Sequence, residues 1–190
     1  MIILASGLFV ATDKVFYIKE CKKLNTDCQK SLLFADFLKG KGSLLSLNLT
    51  YKEQSHMQDV RNLYESLEFT FLFLSVLTIS MLFFLLIKDK KKYRVFVVDY
   101  LFLGGISLII FILILSIFSF AGFDFLFDLF HRVFFSQGNY LFSDQSTLIT
   151  LFPSEFFFDA LKQILVLSII IALFFVVTAY LLKKRKYDKL

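Results

Sequence analysis

Apolar residues fall into three unbroken runs separated by short charged stretches. Positions 67–87, 101–123 and 164–182 hold 21, 23 and 19 residues, with one charge (Glu68, at a rim) in the first and none in the others. A helix needs about 20 such residues to cross the hydrocarbon core, so each run predicts a transmembrane helix. A fourth run, 1–12, is apolar but too short to span. It has no basic n-region and no small-residue cleavage site, which argues against a cleaved signal peptide. We expect it to be a partial first transmembrane helix whose start lies upstream of Met1.

The segments between the runs carry other periods. Lys14 to Ile18 is β-prone, 31–39 is amphipathic and stopped by Gly40 and Gly42, and Leu45, Leu47, Leu49 and Tyr51 alternate with polar residues as in a half-buried strand. This predicts a small α/β cap lying on the membrane surface. Ser55 with Gln58 fits a capping box, so a helix is expected to start at His56 and run unbroken to residue 87. Beyond the second run, Phe123, Phe127, Phe130 and Phe134 share one face of a helix, while Asp124, Asp128, His131 and Arg132 share the other. Such a segment is expected to lie in the interface plane. A turn at Ser136 to Asn139 and an apolar stretch at 147–152 follow, and Pro153-Ser154-Glu155 starts the last helix.

Composition agrees: 57% of residues are hydrophobic, 19% are charged, and the mean hydropathy is +0.71. These values exclude a free cytosolic globule. The net charge of +5 is explained by its placement. Residues 88–94 carry five positive charges between two spans, and Lys183-Lys184-Arg185-Lys186 follows the last one. By the positive-inside rule both are cytoplasmic, and no nucleic-acid face is left. Residues 124–162, with two basic against five acidic residues, and 13–66, with nine against seven, then fall outside. The expected organisation is a partial first transmembrane helix (1–12), an extracytoplasmic cap (13–55), a helix leading into the second span (56–87), and a cytoplasmic loop with the start of the third helix (88–100). The third span (101–123), an extracytoplasmic interfacial segment (124–160), the fourth span (161–182) and a basic cytoplasmic tail (183–190) follow. The fold class is an all-α membrane bundle of about four helices with a small α/β cap and an interfacial amphipathic helix.

The chain has two histidines, His56 and His131, and this topology puts both outside, each beside a span. Imidazole suits proton transfer near neutral pH. A helix N-terminus at His56 would disfavour its charged form. An aspartate lies three residues from each, Asp59 and Asp128, at neighbour spacing on a helix. Asp128 could equally pair with Arg132. Other readings stay open. The histidines could simply be tied up in interfacial hydrogen bonds. They could bind zinc with nearby carboxylates, although no H-E-x-x-H spacing is present. Ser55, Ser136, Ser143 or Ser154 could act as a nucleophile, although none sits in a G-x-S-x-G elbow. Cys21 and Cys28 could be a disulfide or free thiols. Gly104-Gly105 predicts a close helix approach, and Tyr140 and Tyr180 predict interfacial anchors.

The stretches around both histidines, His56-Met57-Gln58-Asp59-Val60-Arg61-Asn62-Leu63-Tyr64 and Phe130-His131-Arg132-Val133-Phe134-Phe135-Ser136-Gln137-Gly138-Asn139-Tyr140-Leu141-Phe142 running on to Pro153, resemble two signatures of the bacterial lipoprotein intramolecular transacylase (Lit) family. The resemblance covers essentially the whole chain. It implies a multi-pass protein of the bacterial cell membrane with its site on the extracytoplasmic side. It also implies transfer of the sn-2 acyl chain of a diacylglyceryl-Cys lipoprotein to the Cys α-amine, giving a lyso-form lipoprotein. The family's histidine pair corresponds to His56 and His131. Two imidazoles can supply the base and the acid that this transfer needs. The donor and the acceptor share one substrate, so no cofactor or metal is expected. Asn139 and Arg61 are candidate stabilisers of the ester oxyanion. Asp59, Asp128 and Arg132 are candidate orienting groups. The two imidazoles are expected to face each other across one cavity. The expected partners are the diacylglyceryl lipoprotein N-terminus and membrane lipids, with the chain acting as a monomer. Two alternatives are a small transporter subunit, which would need polar residues at mid-membrane, and a non-enzymatic accessory protein.

Overall fold

The computed structural model describes residues 1–187, without the side chains at 45, 46 and 185–187. Its order is α1 (Ile2–Val10), α2 (Lys14–Leu24), α3 (Cys28–Leu38), a 3-10 turn (Leu44–Leu47), α4 (Tyr51–Lys88), α5 (Lys90–Phe134), α6 (Thr147–Leu151) and α7 (Ser154–Tyr187).

Three of these helices, α4, α5 and α7, are long and apolar enough to cross a membrane. The expected four-helix count is therefore not met. With nine residues, α1 is far below spanning length. It packs on α7, where Ser6 and Ser168 form a buried hydrogen bond of 3.0 Å. The apolar flanks of the long helices are largely exposed, as lipid-facing surfaces must be. The closest pairing is α5 on α7. Of the two adjacent glycines, Gly105 alone serves it. A Cβ there would sit 2.5 Å from Val176 Cγ2, whereas one at Gly104 would meet nothing.

The cap is all-helical, which corrects the expected α/β cap; no strand occurs among the described residues. Asp13 caps α2 by accepting from the Val15 N–H. The helical period then turns Phe16, Tyr17, Glu20 and Cys21 inward, so the segment read as β-prone follows a spacing of 3.6. At 45–51 the alternation comes from the end of the 3-10 turn, a short loop and the first residue of α4. Leu47 and Leu49 are buried, but Asn48 between them adopts φ +50°, a left-handed conformation that Asn tolerates. Tyr51, expected to continue the buried side, is 88% exposed. The hydrophobic core lies in this cap, where Phe16, Tyr17, Phe34, Phe37, Phe152 and Phe156 gather against the loop leucines. Lys23 of α2 ties the cap to the first turns of α7 through Asp159 and Glu155.

A disulfide joins Cys21 to Cys28 across the α2–α3 turn. The bridge closes a short loop and is worth about 2–3 kcal/mol on loop entropy. We expect Cys21→Ser to lower the melting temperature in detergent, and a reducing agent to do the same to the unmodified protein but not to the variant.

Two helix boundaries position the site. α4 starts at Tyr51, five residues before the expected start. Thr50 and Glu53 form the capping box in place of Ser55 and Gln58. α5 is two helices joined at Gly122, where the backbone leaves helical angles (φ −167°, ψ 61°). The second piece, 123–134, lays Phe123 and Phe127 against Phe158 and Phe157 of α7, with ring centroids 5.2 and 5.1 Å apart.

Candidate functional site

α4 runs away from the cap and α5 runs back towards it. The start of the one and the end of the other therefore meet at one end of the bundle, opposite the basic residues 88–94. His56, in the second turn of α4, and His131, in the last turn of α5, stack with centroids 5.9 Å apart and planes inclined by 27°. Residues 75 apart in sequence thus form one pair.

Aromatic rings wall the pair. Phe135 and Phe142 stand 4.8 and 5.5 Å from His56, and Phe127 and Tyr140 stand 4.3 and 5.1 Å from His131. Tyr140, expected as an interfacial anchor, is therefore part of this wall. His131 does not share an open polar stripe with Arg132; it is half-buried among rings. Clefts of about 330 and 500 Å³ open beside α4, and neither is lined by a histidine.

Burial disfavours charge on both rings. His56, only 7% exposed, is pushed down to about 4 by desolvation first and by the neighbouring His131 second, against the opposing pull of Asn139 and Asp59. Its neutrality therefore comes from burial and not from the helix dipole expected above, since α4 starts too far upstream. His131 is also lowered by burial, with the Phe127 carbonyl and Asp128 opposing. His131 Nδ1 lies 2.7 Å from the Phe127 carbonyl oxygen. A carbonyl oxygen only accepts, so Nδ1 carries the proton and Nε2 keeps the lone pair.

The loop after α5 is held to α4 by polar contacts. Asp59 accepts from Asn139 Nδ2 at 2.6 Å and from Gln137 Nε2 at 2.9 Å. Ser55 Oγ accepts from Asn139 Nδ2 at 3.4 Å, and the Lys52 ammonium donates to the Leu141 carbonyl. Glu53, buried at the base, accepts from the Thr50 N–H and hydroxyl, both at 2.8 Å, and from the Leu148 N–H at 3.0 Å. Burial alone would raise its carboxyl pKa, but these hydrogen bonds outweigh it and hold the carboxyl below its usual range.

The candidate residues thus separate. His56, His131, Asp59 and Asn139 come together. Arg61 does not join them. It pairs with Glu65 at 2.8 Å and stacks on Phe37. Arg132 pairs with Asp128 at 2.7 Å, which leaves Asp128 a through-space influence on His131 only. Sequence reasoning missed Phe135, Phe142, Gln137 and Glu53. The Thr50-x-x-Glu53 spacing was a visible signal for the last; the others depend on how the loop folds back. Among the described residues, no group of three or more His, Cys, Asp or Glu is placed to hold a metal ion.

These features define a polytopic membrane protein with a desolvated histidine pair at the end of its spans. The sequence profile of the family described as lipoprotein intramolecular transacylase Lit matches residues 1–157. The chain belongs to that family. A structure of the membrane integral lipoprotein intramolecular transacylase Lit from Bacillus cereus superposes with a TM-score of 0.80 at 22% identity, covering 98% of this chain and 91% of the other; it shows the same fold. An uncharacterized protein from Aquifex aeolicus is 30% identical over 135 residues, or 71% of this chain. The chain's match spans 58% of that relative's length.

Proposed function

We propose that this chain catalyses intramolecular acyl transfer on bacterial lipoproteins. The substrate is an N-terminal Cys that bears a diacylglyceryl thioether and a free α-amine. The sn-2 acyl chain moves to that amine, and a lyso-form lipoprotein results. The site faces the extracytoplasmic side of the cell membrane, and the chain works as a monomer without a cofactor. The observation that carries this reading is the stacked imidazole pair, 5.9 Å apart and kept neutral by burial.

The amine nitrogen attacks the ester carbonyl carbon and forms the new C–N bond. His131 Nε2 takes the proton that nitrogen must lose. The tetrahedral oxyanion collapses, the bond from carbon to the glyceryl oxygen breaks, and the same Nε2 returns the proton to that oxygen. One proton moves and no external reactant is consumed. His56 keeps this economy. Two imidazolium ions this close would repel, so a charged His131 keeps His56 neutral, and the pair takes up one extra proton at a time. Both ends of the reaction lie in one molecule, so much of the orientation entropy is already lost before the chemical step.

The transporter alternative finds little support in the spans. Ser75, Thr78, Ser116 and Ser119 each donate to a carbonyl one turn back in their own helix, so these hydroxyls are satisfied without lining a path. Expression in a host that makes only diacylated lipoproteins tests the proposal. Mass spectrometry of a lipoprotein N-terminus is expected to show an N-acylated, lyso-form peptide. Unchanged diacylglyceryl-Cys in the presence of well-inserted protein would reject it.

A further inference from the structure

We propose that Asp59 and Asn139 are positioning residues that fix the tautomer of His56: Asp59 holds the Asn139 amide, and Asn139 presents its Oδ1 to His56 Nδ1. The catalytic consequence rests on the acid–base reading above; the geometric argument does not.

An asparagine side chain has a donor end and an acceptor end. The donor end of Asn139 is committed to Asp59 Oδ2 at 2.6 Å and to Ser55 Oγ at 3.4 Å. A carboxylate only accepts, so a flipped amide would set two oxygens against each other. Gln137 also donates to Asp59 at 2.9 Å, so that carboxylate anchors two amides of one loop. Oδ1 of Asn139 is consequently aimed elsewhere, and it is buried without a completed hydrogen bond. The other buried atom of this site in that state is His56 Nδ1. An obligate acceptor and a ring nitrogen able to carry a proton are thus both buried at this site without a partner. Each costs free energy while unpaired, and an Nδ1–H···Oδ1 contact satisfies both.

That contact puts the proton on His56 Nδ1 and leaves Nε2 as the basic atom. His131 reaches the same state through the Phe127 carbonyl. The two rings therefore attain one tautomer by different devices. Asn139 is also removed from the oxyanion role the sequence suggested, because its N–H groups face Asp59 and Ser55. Besides each other, the charged and titratable groups that act on the two rings are Asp59 on α4, Asp128 on α5 and Tyr140 on the loop.

The test combines nitrogen-15 NMR of histidine-labelled protein in micelles at pH 7.5 with transacylation kinetics. Wild-type His56 is expected as the Nδ1–H tautomer, and Asn139→Ala is expected to give a mixture. Its kcat should fall about 10- to 1000-fold, bounded by the roughly 10⁴-fold that a wrong tautomer costs a Ser-His-Asp triad, with KM changed less than about threefold. The pair Asp59→Asn with Asn139→Asp exchanges donor and acceptor while leaving an oxygen towards Nδ1. It should restore the tautomer and recover at least tenfold of the activity lost in Asn139→Asp alone. A wild-type Nε2–H tautomer, or no change in Asn139→Ala, overturns the proposal. A restored tautomer without recovered activity also overturns it, because an aspartate cannot stabilise an oxyanion and Asn139 would then be acting on substrate. Full activity in His56→Ala alongside the expected tautomer shifts would instead remove the acid–base role of His56 and leave the positioning claim standing.

Discussion

His131→Ala is expected to reduce N-acylation of a diacylglyceryl lipoprotein by at least about 10²-fold, up to about 10⁴-fold, the range over which a positioned proton-transfer group contributes. The loss should fall on kcat, because the ring is proposed to act on protons that move only as the carbonyl is attacked and released. His56→Ala should fall in the same range, and the double variant should lose little more than the worse single one, since the two rings work as one unit. Membrane insertion gives the control: yield and elution profile should match the parent, because the apolar spans that carry insertion are untouched. The pH profile provides a second reading. The proposed base works when neutral, so activity should rise with pH through the apparent pKa of the pair and level off above it. Burial lowers both histidines, and His56 to about 4, so the midpoint of that rise should lie below the ordinary histidine value near 6.5. A rate that still climbs steeply above pH 7 would assign the profile to the substrate amine. Retention of full activity by His131→Ala would remove the mechanism.

The parts of the fold legible in the sequence were those set by the bilayer. Runs of about 20 apolar residues have one stable form in hydrocarbon, so α4, α5 and α7 could be placed from composition alone. The cap was less legible. Short stretches such as Lys14 to Ile18 carry both strand and helix propensity, and the choice was made by Asp13 as a cap and by the burial of Phe16 and Tyr17 against Phe156. At the site, the histidines could be named because only two exist and both flank spans. Their partners could not be sorted, because helical spacing offers Asp59 and Asp128 equally as carboxylates for imidazoles. Their separation depends on facing: Asp59 meets the loop amides, while Asp128 turns to Arg132. Phe135 and Phe142 are two of 27 phenylalanines, and nothing in their immediate sequence separates ring walls from lipid-facing residues.

Glu53→Ala should be the most damaging substitution away from the histidines. Its carboxylate closes the cap of α4 and holds the Leu148 N–H in a buried bond, so it fastens the start of the helix carrying His56 to α6, which follows the loop carrying Asn139. Removal costs the capping box, about 0.5–2 kcal/mol, and leaves a buried N–H unpaired, about 1–3 kcal/mol. A combined loss of about 3 kcal/mol is expected as a lowered melting temperature, with activity falling because the loop no longer holds its register over His56. The acid response carries the sign. The carboxyl is depressed in the folded protein, so its stabilisation is present above its unfolded pKa and fades as pH falls through the lower folded value. The stability of wild type should therefore drop more steeply than that of Glu53→Gln between pH 5 and the acid limit, and the two should converge there. Glu53→Gln keeps an acceptor for one N–H and should lose less than the alanine variant at pH 7. If both variants melted with wild type at pH 7, the link from α4 to α6 would contribute nothing to the stability of the fold, and the site would have to owe its alignment to the Asp59 contacts alone.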